Sequence, residues 1–84
     1  MSAKTYAESK RVRLYFDEFD FVASYLPRDS MKAIDPEDIR VGSVVTATYK
    51  DTGLVFKGFG GMTIFYCRKA AQEDADGRRY ITCS

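Results

Sequence analysis

Apolar and polar residues alternate along much of this chain with a period of two, the signature of half-buried strands. Over residues 10–16, Val12, Leu14 and Phe16 fall on one face and Arg11, Arg13 and Tyr15 on the other. The runs 44–50 and 54–57 flank Asp51-Thr52-Gly53, and a glycine closing a three-residue loop predicts a type I turn with a bulge. Pairing Lys50 with Leu54 sets Tyr49 opposite Val55 and Thr48 opposite Phe56, with Val45, Ala47, Tyr49 and Val55 on the core face. The next strand covers residues 62–68, with Met62, Ile64 and Tyr66 on one side and Thr63, Phe65 and Cys67 on the other. Asp76-Gly77 reads as a two-residue hairpin turn ahead of a last strand over 78–83. That register sets Cys83 opposite Ala70, on the face away from Cys67, and so disfavours a disulfide.

Two stretches depart from this pattern. Residues 17–26 read either as a strand, with Phe19 and Phe21 alternating around Asp20, or as a helix capped by Asp17, with Phe19, Val22 and Leu26 as its stripe. The helix is preferred because the acids of the first turn, the apolar spacing and Pro27 agree. Asp35-Pro36-Glu37-Asp38 has an N-cap, a proline at the first helical position and acids behind it, which predicts a single helical turn. Residues 1–9 are polar and read as a loose arm or an edge strand, and residues 28–34 as a connection in which Met31 and Ile34 pack. The expected fold is a single α+β domain over residues 1–84: a mostly antiparallel five-stranded curved sheet, or a small partly open barrel, with one short helix.

Composition narrows the function more than the fold. A chain of 84 residues buries only roughly 60–65% of the surface its unfolded form exposes, so its stability margin is thin. Six Phe and six Tyr supply enough bulk for one core without metal or disulfides. The net charge of +1 provides no global field to draw in a polyanion, which argues against a dedicated duplex DNA binder. Histidine is absent, which removes Ser-His and Cys-His chemistry and the commonest metal ligand. No apolar run is long enough to span a bilayer and the first residues are too polar for a signal peptide, so the default expectation is a cytosolic protein without a membrane partner. In that setting Cys67 and Cys83 are expected to be free thiols.

No catalytic, metal or cofactor signature emerges. The acids Asp35, Glu37 and Asp38 lack the glycine and distal Glu of a calcium loop, and the three glycines of 58–61 lack the surroundings of a P-loop. Lys57-Gly58-Phe59-Gly60 resembles the start of a strand motif of RNA-recognition domains, and Lys-Gly-Phe-Gly also occurs in cold-shock domains. The resemblance implies a sheet-borne aromatic, Phe59, stacking on a base, with Lys57 at phosphate. It covers about five residues, Gly61 stands where both families place an aromatic, and the chain has no Trp.

Lys57, Arg68, Lys69, Arg78 and Arg79 interleave with Phe59, Tyr66 and Tyr80 near the C-terminal strands, and Tyr and Arg are the residues most often found at binding hot spots. These eight residues are the candidate binding set. The function expected from them is non-enzymatic: docking on a larger protein or nucleoprotein complex that the chain modulates or inhibits. Phage and mobile-element inhibitors, the anti-CRISPR and anti-restriction proteins included, share this profile of size and composition, a likeness of class rather than of sequence. The alternative is a single-stranded RNA or DNA binder using residues 57–60.

Overall fold

The computed structural model describes residues 11–25 and 31–84. Six strands form one open, antiparallel sheet: β1 (Val12–Tyr15), β2 (Phe19–Ser24), β3 (Lys32–Ala33), β4 (Val44–Tyr49), β5 (Phe65–Glu73) and β6 (Arg79–Cys83), in the order β1-β6-β5-β4-β2-β3. The only helical elements among the described residues are two three-residue 3₁₀ turns, Pro36–Asp38 and Phe59–Gly61. The α+β expectation is therefore overturned, and the strands number six rather than five.

The difference centres on residues 17–26. Asp17 and Glu18 lie in a turn, and β2 pairs along its whole length with β4, from Phe19 opposite Tyr49 to Ser24 opposite Val44. Phe19, Phe21 and Ala23 point inward, whereas Asp20 is exposed. Helical and strand periods overlap over so short a segment, and the burial of two phenylalanines and an alanine against β4 decides for the strand. Leu26 and Pro27, on which the helical reading leaned, lie outside the described residues, as does the arm of residues 1–9.

The sheet curls. Tyr15 and Phe19 are four residues apart, a span of at most ~14 Å. In a flat sheet β1 and β2 would stand four strand spacings apart, ~19 Å. Strand β5 allows the bend: its first residues, Phe65 and Tyr66, pair with β4, while the strand from Cys67 onward pairs with β6 through two register shifts. Such bulges increase local twist. The concave side holds Leu14, Phe19, Phe21, Ala23, Ile39, Val45, Ala47, Phe65, Cys67, Ile81 and Cys83, with Val12, Phe16, Ile34 and Phe56 packed against them. Burying each large side chain of this set contributes about 1.5–3 kcal/mol before chain entropy is subtracted.

The Asp35 cap is as expected: its side chain accepts from the Glu37 N–H at 3.0 Å, and Pro36 begins the turn. The Arg78 guanidinium ties the β1–β2 turn to the β5–β6 turn by bonding both carboxylate oxygens of Asp17, at 2.8 and 2.9 Å. Arg79 likewise holds Glu37, fastening the 3₁₀ turn to β6.

Two registers differ from expectation, the one after β4 by one residue and that of β5 and β6 by one at the turn and three at Cys83. After β4 the chain returns with Val55 opposite Thr48, and the Phe56 N–H bonds the Ala47 carbonyl at 2.8 Å. A one-residue slip exchanges the faces, so Phe56 takes the core side with Ala47 and Phe65 and Val55 the exposed one, while Tyr49 keeps the core face at its rim, its ring 4.6 Å from that of Phe19. Apart from the bridge at Val55, residues 54–57 form no strand. At the other hairpin, β5 runs on to Glu73 and pairs it with Arg79, so the turn holds more than Asp76-Gly77. Here Asp74 accepts from the backbone N–H groups of Asp76 and Arg78, at 2.9 and 3.0 Å. With the two bulges, this brings Cys83 opposite Cys67 and not Ala70. Both cysteines are free thiols.

Candidate binding surfaces

The candidate residues separate into three groups. Phe59 and Lys57 belong to the excursion between the bridge at Val55 and β5. The Gly58 N–H bonds the Met62 carbonyl at 2.7 Å and the Gly61 N–H bonds the Gly58 carbonyl at 3.0 Å, closing a small loop with Phe59 at its turn. Gly60 and Gly61 have φ of 71° and 78°, in the left-handed region where glycine carries no Cβ penalty. Gly58 is required for another reason: a Cβ there would lie 2.8 Å from the Phe65 ring. The glycines thus place the loop tightly over a core phenylalanine and turn Phe59 outward, 62% exposed. It lies on a turn and not on a strand, unlike the stacking aromatic that the nucleic-acid-binding families imply.

Five of the eight exposed large hydrophobic residues among those described, Leu54, Val55, Phe59, Met62 and Tyr66, come from this stretch, and Leu54 and Phe59 are the most exposed of all. Val55 and Tyr66 both flank β4, opposite Thr48 and Val44, and the loop carrying Phe59 and Met62 joins them. The apolar exposure is therefore concentrated along one side of β4.

The second group is the convex face of β1, β6 and β5. Residues directly opposite one another share a face, so Arg13, Thr82 and Lys69 form one row and Tyr15, Tyr80 and Gln72 the next. Tyr66 and Ser84 exchange both backbone hydrogen bonds, and the Arg68 Nε donates to the Ser84 hydroxyl at 2.7 Å with its guanidinium 5.6 Å from the Tyr66 ring. Tyr80 is buried: the Arg13 guanidinium covers its ring at 4.5 Å and Tyr15 packs beside it at 5.3 Å. The Arg78 guanidinium covers Tyr15 in turn at 4.0 Å. Tyr80 is consequently a structural plate beneath Arg13. The hydrogen bond to Tyr15, and after it the field of Tyr80, raise the pKa of Arg13.

The third group is neutralised. Arg78 faces Asp17 and Glu18, and Arg79 faces Glu37 and Glu73. Their hydrogen bonds hold Asp17 and Glu37 below the ordinary carboxylate values of 3.8 and 4.5. Arg13, absent from the sequence-derived set, makes no ion pair among the described residues. Its position on the polar side of β1 was visible, but not that β1 lies beside β6.

No group of three or more potential metal-ligating side chains occurs among the described residues. Two cavities, of about 450 and 420 Å³, open beside β3; Ala33 and Ile34 line both, with Ser24, Lys32 and Asp38 in the first and Phe19, Phe21 and Lys50 in the second. Among the described residues no helix is long and apolar enough to cross a membrane. No family model, no curated protein and no solved structure matches the chain.

Proposed function

We propose that this protein is a non-enzymatic binding module that docks on a larger protein, alone or within a nucleoprotein assembly, and modulates or inhibits it. The observation that carries the reading is the concentration of exposed Leu54, Val55, Phe59 and Met62 in one loop system beside β4. Scattered exposed apolar residues are ordinary, whereas a contiguous group marks an interaction site. Aromatic and Met side chains are the types enriched where protein surfaces meet. The loop is held from beneath by Gly58 against Phe65, so Phe59 is presented without a large ordering cost on binding.

The test is affinity capture from the native host extract with the wild-type chain and with a Phe59→Ala, Met62→Ala variant. A stoichiometric protein partner retained by the wild type and lost by the variant, with unchanged thermal melting, supports the reading. Recovery of the same partner by both proteins, or of no protein by the wild type, overturns it.

A further inference from the structure

The convex face of β1, β6 and β5 has a composition unlike that of the loop. Reading across its rows, the outward side chains are Arg13, Thr82 and Lys69, then Tyr15, Tyr80 and Gln72, then Ser84 and Tyr66 with Arg68 above them. None of them is a carboxylate and none is aliphatic. Of the acids in this neighbourhood, Asp17 and Glu18 face Arg78, and Glu37 and Glu73 face Arg79; Asp74 borders the face at Tyr15, its field reaches Arg13, and its carboxylate also accepts from the Asp76 and Arg78 backbone N–H groups. Arg13, Arg68 and Lys69 make no ion pair among the described residues. A chain with a net charge of only +1 therefore presents a locally unbalanced cationic face.

We infer that this face binds single-stranded nucleic acid, with Arg13, Lys69 and Arg68 on the phosphates and the Tyr66 ring against a base. The side chains that contact nucleic-acid backbones are Arg, Lys, Ser, Thr, Gln and Tyr, and every outward residue of the three rows belongs to that set. A protein partner is the poorer match, because lysine is depleted at protein interfaces and the face offers no aliphatic anchor. Single strands are favoured over duplex because a three-stranded sheet face is too broad for a groove that admits an α-helix or a two-stranded ribbon. Stacking on Tyr66, 48% exposed, also requires an unpaired base. Arg13 is fixed over Tyr80, and Arg68 is fixed by Ser84, so two of the three cations are ordered before the strand arrives. This surface is separate from Phe59, and the inference does not rest on the docking loop.

The experiment is fluorescence anisotropy with a labelled mixed-sequence oligonucleotide of roughly 20 nucleotides, as single strand and as duplex, between about 50 and 200 mM salt. The expected result is single-strand binding that exceeds duplex binding and weakens with salt, with a log–log slope of about −2 for three phosphate contacts. Lys69→Glu and Arg13→Glu should each weaken it about tenfold or more, and Tyr66→Ala by roughly fivefold to a hundredfold. Lys69→Gln, which alters an exposed side chain and removes only its charge, should reduce the slope by about 0.7. Phe59→Ala should leave oligonucleotide binding unchanged, which separates this face from the loop. Absence of single-strand binding at the lowest salt, equal binding by Lys69→Glu, or equally tight binding of polyglutamate overturns the inference, the last in favour of an acidic protein.

Discussion

Cys67 stands directly opposite Cys83 across β5 and β6, at a position where the strands exchange no backbone hydrogen bonds, because the neighbouring pair Tyr66 and Ser84 exchanges both. Side chains approach most closely at such positions, and both thiols face the core with exposures of 1% and 0%. The Cys67 Sγ also donates to the Lys69 carbonyl at 3.3 Å, beside the first bulge. The Cys83 thiol is pushed far up, first by its hydrogen bond with Cys67 and then by burial. The same hydrogen bond draws the Cys67 thiol down against the effect of burial, so inaccessibility is what keeps the pair from reagents in the native state. Alkylation of the folded protein by a small maleimide near neutral pH should accordingly run roughly 10³-fold or more below the rate in denaturant, following the opening equilibrium. Similar rates in both conditions would contradict the burial of the pair.

The register after β4 makes Phe56 and Val55 unequal. Phe56 packs against Phe19 and Phe65, with ring centroids 5.4 and 5.5 Å away, whereas Val55 lies on the exposed side. Phe56→Ala should cost about 2–3 kcal/mol in urea unfolding, and Val55→Ala less than about 1 kcal/mol. The reverse ranking would restore the register in which Val55 is a core residue.

Two glycines of the Phe59 loop should fail differently when given a methyl group. At Gly58 the Cβ meets the Phe65 Cε1 and Cζ at 2.8 and 2.9 Å, and Phe65 is 1% exposed and has nowhere to go. Gly58→Ala should therefore cost about 1–3 kcal/mol through displacement of a core ring. At Gly60 nothing lies within 4 Å, and the cost comes from φ of 71° alone, about 1 kcal/mol. Near-ultraviolet circular dichroism distinguishes the two, since only the first variant should disturb the aromatic packing.

Acid should destabilise the fold through Asp17, Glu37 and Asp74. Each is depressed in the folded protein, Asp17 by its hydrogen bond to Arg78, Glu37 by that to Arg79, and Asp74 by the Arg78 and Asp76 backbone N–H groups. A carboxylate with a depressed folded pKa contributes stability that is complete above its unfolded value and is lost as pH falls through the folded value. The ordinary values are 3.8 for the aspartates and 4.5 for the glutamate, so the melting temperature should be flat down to about pH 5 and fall below about pH 4. Asp17 and Glu37 are exposed and Asp74 is half-buried, and solvent screening keeps the effect modest. An Asp17→Asn, Asp74→Asn variant should show a smaller drop between about pH 6 and about pH 3; an unchanged drop would assign the acid sensitivity to other carboxylates.

The polar and apolar alternation of residues 12–16 and 65–67 was legible because a strand with one buried face leaves a period-two record in its own residues. The Asp35 cap was legible for a similar reason: its donor and acceptor lie two residues apart. Residues 19–24 were harder, since a six-residue segment satisfies both periods and only pairing with β4 chooses between them. The candidate surface was half legible. Tyr66, Arg68 and Lys69 share β5, but Arg13 joins them from a strand more than fifty positions away.

What the sequence by itself determined is local: the alternation of residues 12–16, the cap at Asp35, and the absence of histidine. The tertiary structure decided which of those residues meet. Register was the deciding quantity, because shifting a strand by one residue exchanges its faces while leaving its own pattern unchanged. One such shift moved Phe56 into the core in place of Val55. Two bulges in β5 set Cys67 against Cys83 and Lys69 against Thr82. The same long-range pairings gave Arg78 and Arg79 to carboxylates and left Arg13 and Lys69 facing outward, since charge balance depends on distances in space that spacing along the chain does not encode.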